Sequence, residues 1–211
     1  MDKKEQIDTF SRYSQVSRET ITSLIKYENF LVNANKNTNL IGNSTINSIW
    51  TRHFLDSVQV IDFIDKNDKS LIDLGSGAGF PGLVMAIAAK DRKFPLRVKL
   101  FEKSPKKAIF LNEVIDQLSL EVEVYQKNVL EERVTFIGDV FVARAFKPLK
   151  IILPLIHNKA ENWKKIFIFL GKTGKNELIQ ASKIWDIQYK QRVSVTSSDS
   201  IVIEINRLLK K

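Results

Sequence analysis

An acidic residue and a cluster of glycines occupy Asp73–Gly82, directly after a short apolar segment. Gly75, Gly77 and Gly79 let the backbone turn sharply and let a ligand approach main chain that carries no Cβ atom. The apolar run Leu83–Ala89 is typical of a helix, whose first amides present the positive end of the helix dipole. Strand, glycine turn and helix in this order predict the ligand-binding crossover of an open α/β sheet.

Two carboxylates beside the glycines indicate the kind of ligand. Asp73 stands at the end of the predicted strand, where it would repel a pyrophosphate and attract an ammonium group. Glu102 ends the next predicted strand, and an acidic residue there suits a ribose diol. An ammonium at one end and a ribose with adenine at the other describe S-adenosylmethionine better than a nicotinamide dinucleotide. The alternative is that both carboxylates only cap turns.

Composition limits the class of protein. The 211 residues suit one large α/β domain with a small appendage. The formal net charge of +9 favours a polyanionic partner such as RNA, although a basic surface also favours solubility. The absence of cysteine excludes disulfides and thiolate chemistry, and with only two histidines no metal site is expected. No signal peptide and no membrane-spanning run are recognisable, so the sequence predicts a cytoplasmic protein.

Hydrophobic periodicity predicts the elements that position these residues. Residues 1–66 show helical spacing and predict a helical cap, including a helix over about 45–64. Over 67–211 strand and helix alternate, which predicts a Rossmann-like α/β domain with a mostly parallel seven-stranded sheet and an antiparallel C-terminal hairpin turning at Thr196–Ser200. The expected strands are 70–74, 97–102, 121–126, 139–144, 166–170, 185–194 and 200–207, and the expected helices lie near 81–91, 104–118, 148–161 and 174–182.

Several motifs occur in the order and spacing of one protein family. They are Asn39–Ile41, Arg52–Ser57, Asp73–Gly82, Lys106–Leu111 and Arg144–Phe146. From about residue 20 to the C-terminus the chain resembles the ribosomal RNA small subunit methyltransferase G family, also called glucose-inhibited division protein B. The block Arg52–Ser57 together with Gly-Phe-Pro-Gly is specific, whereas the glycine loop alone is shared by most class I methyltransferases.

The resemblance implies a class I methyltransferase that uses S-adenosylmethionine to methylate N7 of one guanosine in 16S rRNA, at position 527 in the usual rRNA numbering. The implied partner is 16S rRNA or the 30S ribosomal subunit, and a monomer is expected. Guanine N7 has a free lone pair and no proton. Methyl transfer to it therefore needs no general base, and positioning with electrostatics suffices.

Three positions are candidates for contacts inside the site. Arg144 ends the fourth predicted strand and is the candidate catalytic residue, with a planar fork suited to cofactor, base or phosphate, or else to a structural ion pair. Val129 and Leu130 follow the third strand and are expected to pack on adenine, or only on the core. Phe80 covers the cofactor or staples the following helix. The predicted cofactor-binding set is Asp73, Gly75, Gly77, Gly79, Phe80, Glu102, Val129, Leu130 and Arg144.

Basic residues near strand ends predict an RNA-binding rim, because the carboxyl ends of parallel strands meet at one edge of a sheet. The candidates are Arg52, His53, Lys103, Lys106, Lys107, Lys147 and Lys172, with Lys150 and Lys175 as further candidates. Any one lysine is also consistent with a solvated surface charge. Arg52 and Asp56, four residues apart, are also consistent with an ordinary exposed ion pair.

Three other functions stay open. The same chemistry on another RNA or on a protein is one, and a cofactor-binding, RNA-binding protein without turnover is the second. A nicotinamide oxidoreductase is the third, against which Asp73 argues because of its charge.

Overall fold

The computed structural model describes all 211 residues and is built on one seven-stranded sheet. Its strands are β1 (Ser70–Leu74), β2 (Arg97–Phe101), β3 (Val122–Tyr125), β5 (Val140–Arg144), β7 (Lys165–Leu170), β8 (Trp185–Ser194) and β9 (Ser197–Lys210), while β4 (Phe136–Ile137) and β6 (Ala160–Glu161) form a separate parallel pair. The order across the sheet is β3-β2-β1-β5-β7-β9-β8. The first five of these are parallel, and β9 is antiparallel to both β7 and β8. This confirms the predicted sheet and hairpin.

Two details of the strands differ from the prediction. The hairpin turns at Val195 and Thr196, because Ser194 pairs with Ser197, so the turn predicted over Thr196–Ser200 was placed too late. The parallel pair β4 and β6 was not predicted, because strands of two residues are too short to show a hydrophobic period.

Helices cover both faces of the sheet, which is why its central strands are almost entirely apolar. Leu71–Leu74 of β1 and Val140–Ala143 of β5 are buried. The covering helices are α4 (Gly82–Asp91) and α5 (Pro105–Leu118) on one face, with α6 (Leu149–Lys159) and α7 (Gly174–Ser182) on the other. No helix of the chain combines the length and the apolar character needed to cross a membrane.

The N-terminal helices share a core with the sheet. They are α1 (Lys3–Ser14) and α2 (Arg18–Asn35), each started by a polar N-cap residue. Tyr27 of α2 stacks on Phe80 with a centroid distance of 5.7 Å, and Phe54 lies 5.4 Å from Tyr27. These rings belong to the same hydrophobic cluster as the buried side of α4, so the N-terminal part is positioned directly against the glycine loop.

The prediction of one helix over 45–64 was wrong. The chain there forms a 3₁₀ turn (Asn43–Ser48), a π-helical segment (Trp50–Leu55), the short helix α3 (Asp56–Val58) and another 3₁₀ turn (Ile61–Phe63). The hydroxyls of Thr45 and Ser48 donate to nearby backbone carbonyls, which competes with the α-helical pattern. The wider π-helical segment brings groups from residues 52, 53 and 56 to one side, where all three meet Arg144.

Candidate active site

The glycines after β1 have different purposes. Gly75, Gly77 and Gly79 all have positive φ, at 74°, 59° and 97°. A Cβ atom at Gly75 would collide with the ring of Phe146, and one at Gly79 would lie 2.5 Å from the hydroxyl of Tyr27. At Gly77 the nearest atom would be 4.0 Å away. Gly77 therefore leaves room for a ligand, whereas Gly75 and Gly79 leave room for side chains of the protein itself.

A cavity of about 430 Å³ opens at the carboxyl ends of β1, β2, β3 and β5. This volume lies in the range of small-molecule pockets, and the carboxyl edge of an open α/β sheet is the usual place for them. The residues of the predicted set that line the cavity are Gly75, Gly77, Phe80, Glu102, Val129 and Arg144. Gly79, Asp73 and Leu130 do not line it, and their contact with the cofactor stays a prediction.

Glu102 lies in the wall of the cavity and is 7% exposed. Its Oε2 accepts a hydrogen bond from the backbone amide of Gly77 at 2.9 Å, and its Oε1 accepts one from the backbone amide of Ser104 at 2.7 Å. The carboxylate thus links the glycine loop to the segment after β2. A contact from Glu102 to a ribose stays a prediction.

Asp73 lies beneath the glycine loop and is fully buried. Its Oδ2 accepts the amide of Gly82 at 2.9 Å, while its Oδ1 has no hydrogen-bond partner. Burial raises the pKa of Asp73 to about 7, against the opposing effect of the Gly82 amide. Asp73 therefore supports the loop from below, and its contact with a ligand ammonium stays a prediction.

The side of the cavity below the ends of β2 and β3 is apolar. Phe101 lines the wall and stacks on Tyr125, with ring centroids 4.9 Å apart and an interplanar angle of 10°. Val129 is buried beside them. Leu130, the next residue of the same turn, is 42% exposed and does not line the cavity. Phe101 and Val129 form a surface suited to a flat base.

Arg144 ends β5 at the opposite side of the cavity. Its Nε donates to Oδ2 of Asp56 at 2.6 Å, and its Nη2 donates to the carbonyl of Arg52 at 2.6 Å. The guanidinium carbon lies 5.9 Å from the ring centroid of Phe80. The predicted pairing of Arg52 with Asp56 was wrong, since the long-range partner Arg144 takes the carboxylate.

His53 is buried between Phe80 and Arg144. Its ring stacks on Phe80 at 4.8 Å and 17°, and its Nδ1 lies 3.4 Å from Nη1 of Arg144. Burial, with the nearby charge of Arg144, lowers the pKa of His53 to about 3. A neutral ring protonated on Nε2 satisfies both Arg144 and the hydroxyl of Thr45, 2.9 Å from Nε2. His53 lines the cavity as a neutral ring, and its predicted role in RNA binding stays a prediction.

Comparison with known proteins identifies the family. A family model described as rRNA small subunit methyltransferase G matches residues 20–204. The chain belongs to this family. Ribosomal RNA small subunit methyltransferase G of Pelagibacter ubique is 37% identical over 93% of this chain and 92% of the relative, and that of Rickettsia akari is 32% identical over 93% and 98%. The solved structure of the 16S rRNA methylase RmtB has a TM-score of 0.54 at 13% identity, covering 91% of this chain and 76% of that chain, which shows a common fold.

Only part of the basic set predicted for this methyltransferase G family member surrounds the cavity. Lys103, Lys107 and Lys147 line it, and so does Lys127, which the sequence did not single out. Lys106 is exposed outside the wall. The remaining predicted cations lie away from the cavity: Arg52 is exposed, Lys172 is 85% exposed and 3.5 Å from Asp199, and Lys150 and Lys175 are exposed.

Sequence reasoning missed one whole wall of the site. Leu40, Ile41 and Gly42 close the cavity from the N-terminal side. Oδ1 of Asn35 holds this segment by accepting the amides of Leu40 and Ile41, both at 2.9 Å. The Asn-Leu-Ile motif at 39–41 was a signal for this wall, since it is one of the motifs shared with the family. Phe146, which fills the space left by Gly75, was also missed as a wall residue.

Proposed function

We propose that this protein transfers a methyl group from S-adenosylmethionine to N7 of the guanosine at position 527 of 16S rRNA. Membership in the rRNA small subunit methyltransferase G family supports the reaction class and the rRNA substrate. The observation that carries the proposal is the arrangement of the cavity at the carboxyl edge of the sheet. It joins an open glycine backbone at Gly77 to a rim formed by Arg144 and four lysines.

The residues present fit S-adenosylmethionine. Gly77 offers backbone that a ligand can approach, and the apolar pair Phe101 and Val129 offers a surface for adenine. Glu102 offers a carboxylate on the wall for the ribose, and Asp73 supports the loop from below by accepting the Gly82 amide. When bound, the cofactor supplies an electrophilic methyl group on a sulfonium.

The side chains near Arg144 suit an acceptor that needs no deprotonation. His53, with a pKa near 3, stays neutral and stacked, and the chain has no cysteine. Arg144 carries its charge at the boundary of the cavity, where it orients an electron-rich base edge. Guanine N7 attacks through a lone pair, so these residues act by holding the reactants in line and keeping out competing water.

The lysines at the rim favour a polyanionic acceptor. Lys103, Lys107, Lys127 and Lys147 surround the mouth of the cavity, and Glu102 is the carboxylate among its wall residues. Cations in this arrangement hold phosphates on either side of a base that enters the site. This supports 16S rRNA as the substrate.

The test is transfer of labelled methyl from S-adenosylmethionine to 30S subunits from cells that lack this activity, with the product mapped by cleavage at 7-methylguanosine. Label at the one expected guanosine supports the proposal. Label on another RNA or on a ribosomal protein would show that the methyl acceptor is a different molecule. Cofactor binding without any transfer would favour a non-catalytic RNA-binding role. Tight binding of NADH in competition with S-adenosylhomocysteine would instead favour an oxidoreductase.

A further inference from the structure

Asp56 lies where three separated segments of the chain meet. Its Oδ2 accepts Nε of Arg144 at 2.6 Å. Its Oδ1 accepts the hydroxyls of Ser194 and Thr196, each at 3.0 Å, and the side-chain amide of Gln59 at 2.8 Å. Ser194 and Thr196 belong to the turn between β8 and β9, at the far end of the sequence. The carboxylate, 13% exposed, thus has both oxygens bound from different directions.

The guanidinium of Arg144 is held on all three nitrogens. Nε donates to Asp56, Nη2 donates to the carbonyl of Arg52, and Nη1 lies 3.4 Å from Nδ1 of His53. Only 17% of the side chain is exposed. Of these partners, the Asp56 carboxylate is the one that opposes the positive charge, so it sets the direction of the fork most strongly.

We infer that Asp56 is a positioning residue, which holds Arg144 in the orientation needed for methyl transfer and ties that orientation to the β8–β9 turn. The inference rests on the proposed function. An arginine side chain is flexible, and a shift of about 1 Å in a group that orients the reactants costs on the order of 100-fold in rate. Ser194 and Thr196 prevent such a shift indirectly, because they fix the carboxylate that fixes Arg144.

The main test is Asp56→Asn. The amide oxygen still accepts the hydroxyls of the turn, but the amide nitrogen that replaces Oδ2 cannot accept Nε of Arg144. We expect kcat for 30S methylation to fall by about 10- to 100-fold, while KM for S-adenosylmethionine and affinity for S-adenosylhomocysteine stay unchanged, since Asp56 does not line the cavity. The matched control is Asp62→Asn, which removes the carboxylate from an exposed pair with Arg92 and leaves kcat unchanged.

Two further variants separate positioning from folding. Thr196→Val removes one hydroxyl from the network and keeps the ion pair, so a smaller fall in kcat is expected even if Asp56→Asn does not fold. In an Arg144→Ala background, Asp56→Asn should cause no further loss, because it acts through the missing arginine. Wild-type kcat in soluble Asp56→Asn and Thr196→Val, or a full second loss in the double variant, would overturn the inference.

A measurement without turnover separates this inference from the proposed function. The Nε–H resonance of Arg144, assigned by its loss in Arg144→Ala, should be slow to exchange in the wild-type protein and should merge with those of free arginines in Asp56→Asn. An identical resonance in both proteins would refute positioning by Asp56. A wild-type protein that methylates no rRNA would instead refute the proposed function, whatever the resonance does.

Discussion

The hydroxyl of Tyr27 in α2 donates a hydrogen bond to the carbonyl oxygen of Ala78 in the glycine loop. Tyr27 is completely buried, and burial raises its pKa well above the ordinary tyrosine value, so the hydroxyl keeps its proton and remains a donor. The same hydroxyl occupies the space that a side chain at Gly79 would need. The N-terminal helices therefore hold the loop that forms the floor of the cavity.

Tyr27→Phe should loosen this loop. The Ala78 carbonyl would lose its donor inside the core, which costs about 1–3 kcal/mol in the free energy of unfolding. Urea denaturation measures this loss, and calorimetry should show weaker binding of S-adenosylhomocysteine. The matched control is Tyr189→Phe, at a 41% exposed position on β8. Equal stability of the two variants would show that the bond contributes nothing.

Gly77→Val should block the cofactor site. The added side chain projects from a backbone with φ of 59° into the open part of the cavity. We expect calorimetry to detect no binding of S-adenosylhomocysteine, while circular dichroism shows a folded protein. The control is Gly171→Val, where a Cβ atom meets nothing within 4 Å, and which should bind as the wild type does. Unchanged affinity in Gly77→Val would place the cofactor elsewhere.

Arg144→Ala should reduce methyl transfer by about 100-fold or more. The variant removes the cation at the boundary of the cavity, while the apolar wall with Phe101 and Val129 stays intact. Transfer of labelled methyl to 30S subunits measures the loss, and S-adenosylhomocysteine affinity reports whether the cofactor site survives. Arg207→Ala, which breaks an exposed pair with Asp186, serves as the control. Near wild-type activity in soluble Arg144→Ala would show that this arginine takes no part in methyl transfer.

His53 should make the protein more stable as pH rises. Its pKa is about 3 in the folded protein, against 6.5 for an ordinary histidine of the unfolded chain, so the unfolded state binds more protons between these limits. The contribution of His53 to the free energy of unfolding therefore increases as pH rises from about 3 to 6.5, and it is fully present above pH 6.5. His53→Gln should flatten this rise in urea denaturation at several pH values.

The control for this pH dependence is the same substitution at His157, which is exposed on α6. Asp73, whose pKa is raised to about 7, acts in the opposite direction between about pH 4 and 7 in every variant. The difference between His53→Gln and the wild type therefore isolates His53. An unaltered slope would mean that His53 titrates normally in the folded state.

The lysines at the rim should control the salt dependence of RNA binding. Each phosphate contact removed lowers the slope of log affinity against log salt by about one. Lys103→Ala, Lys107→Ala and Lys147→Ala, made one at a time, should each show this change in filter binding to 30S subunits. Lys183→Ala, at the exposed end of α7, should leave the slope unaltered. Equal slopes for all four variants would show that RNA binds away from the cavity.

Local patterns were sufficient for the fold. The strands β1 and β8 and the helix α7 begin and end where the periodicity predicts. For β1 this agreement has a physical cause, because a central strand covered on both faces is almost entirely apolar and the glycines that follow it interrupt that pattern where the chain turns. The prediction for residues 45–64 was wrong because hydroxyl side chains there form hydrogen bonds with the nearby backbone, which hydrophobic periodicity does not register.

The sequence by itself determined the crossover that carries the cavity, the basic character of the chain and, through its motifs, the family. Only the tertiary structure decided which glycine leaves open space in the cavity, that Asp56 pairs with Arg144, and that His53 is buried and neutral. The reason is that residue type and spacing govern local conformation, whereas these contacts join positions about 90 residues apart or depend on burial. Such contacts exist only after the apolar faces of several elements have packed together.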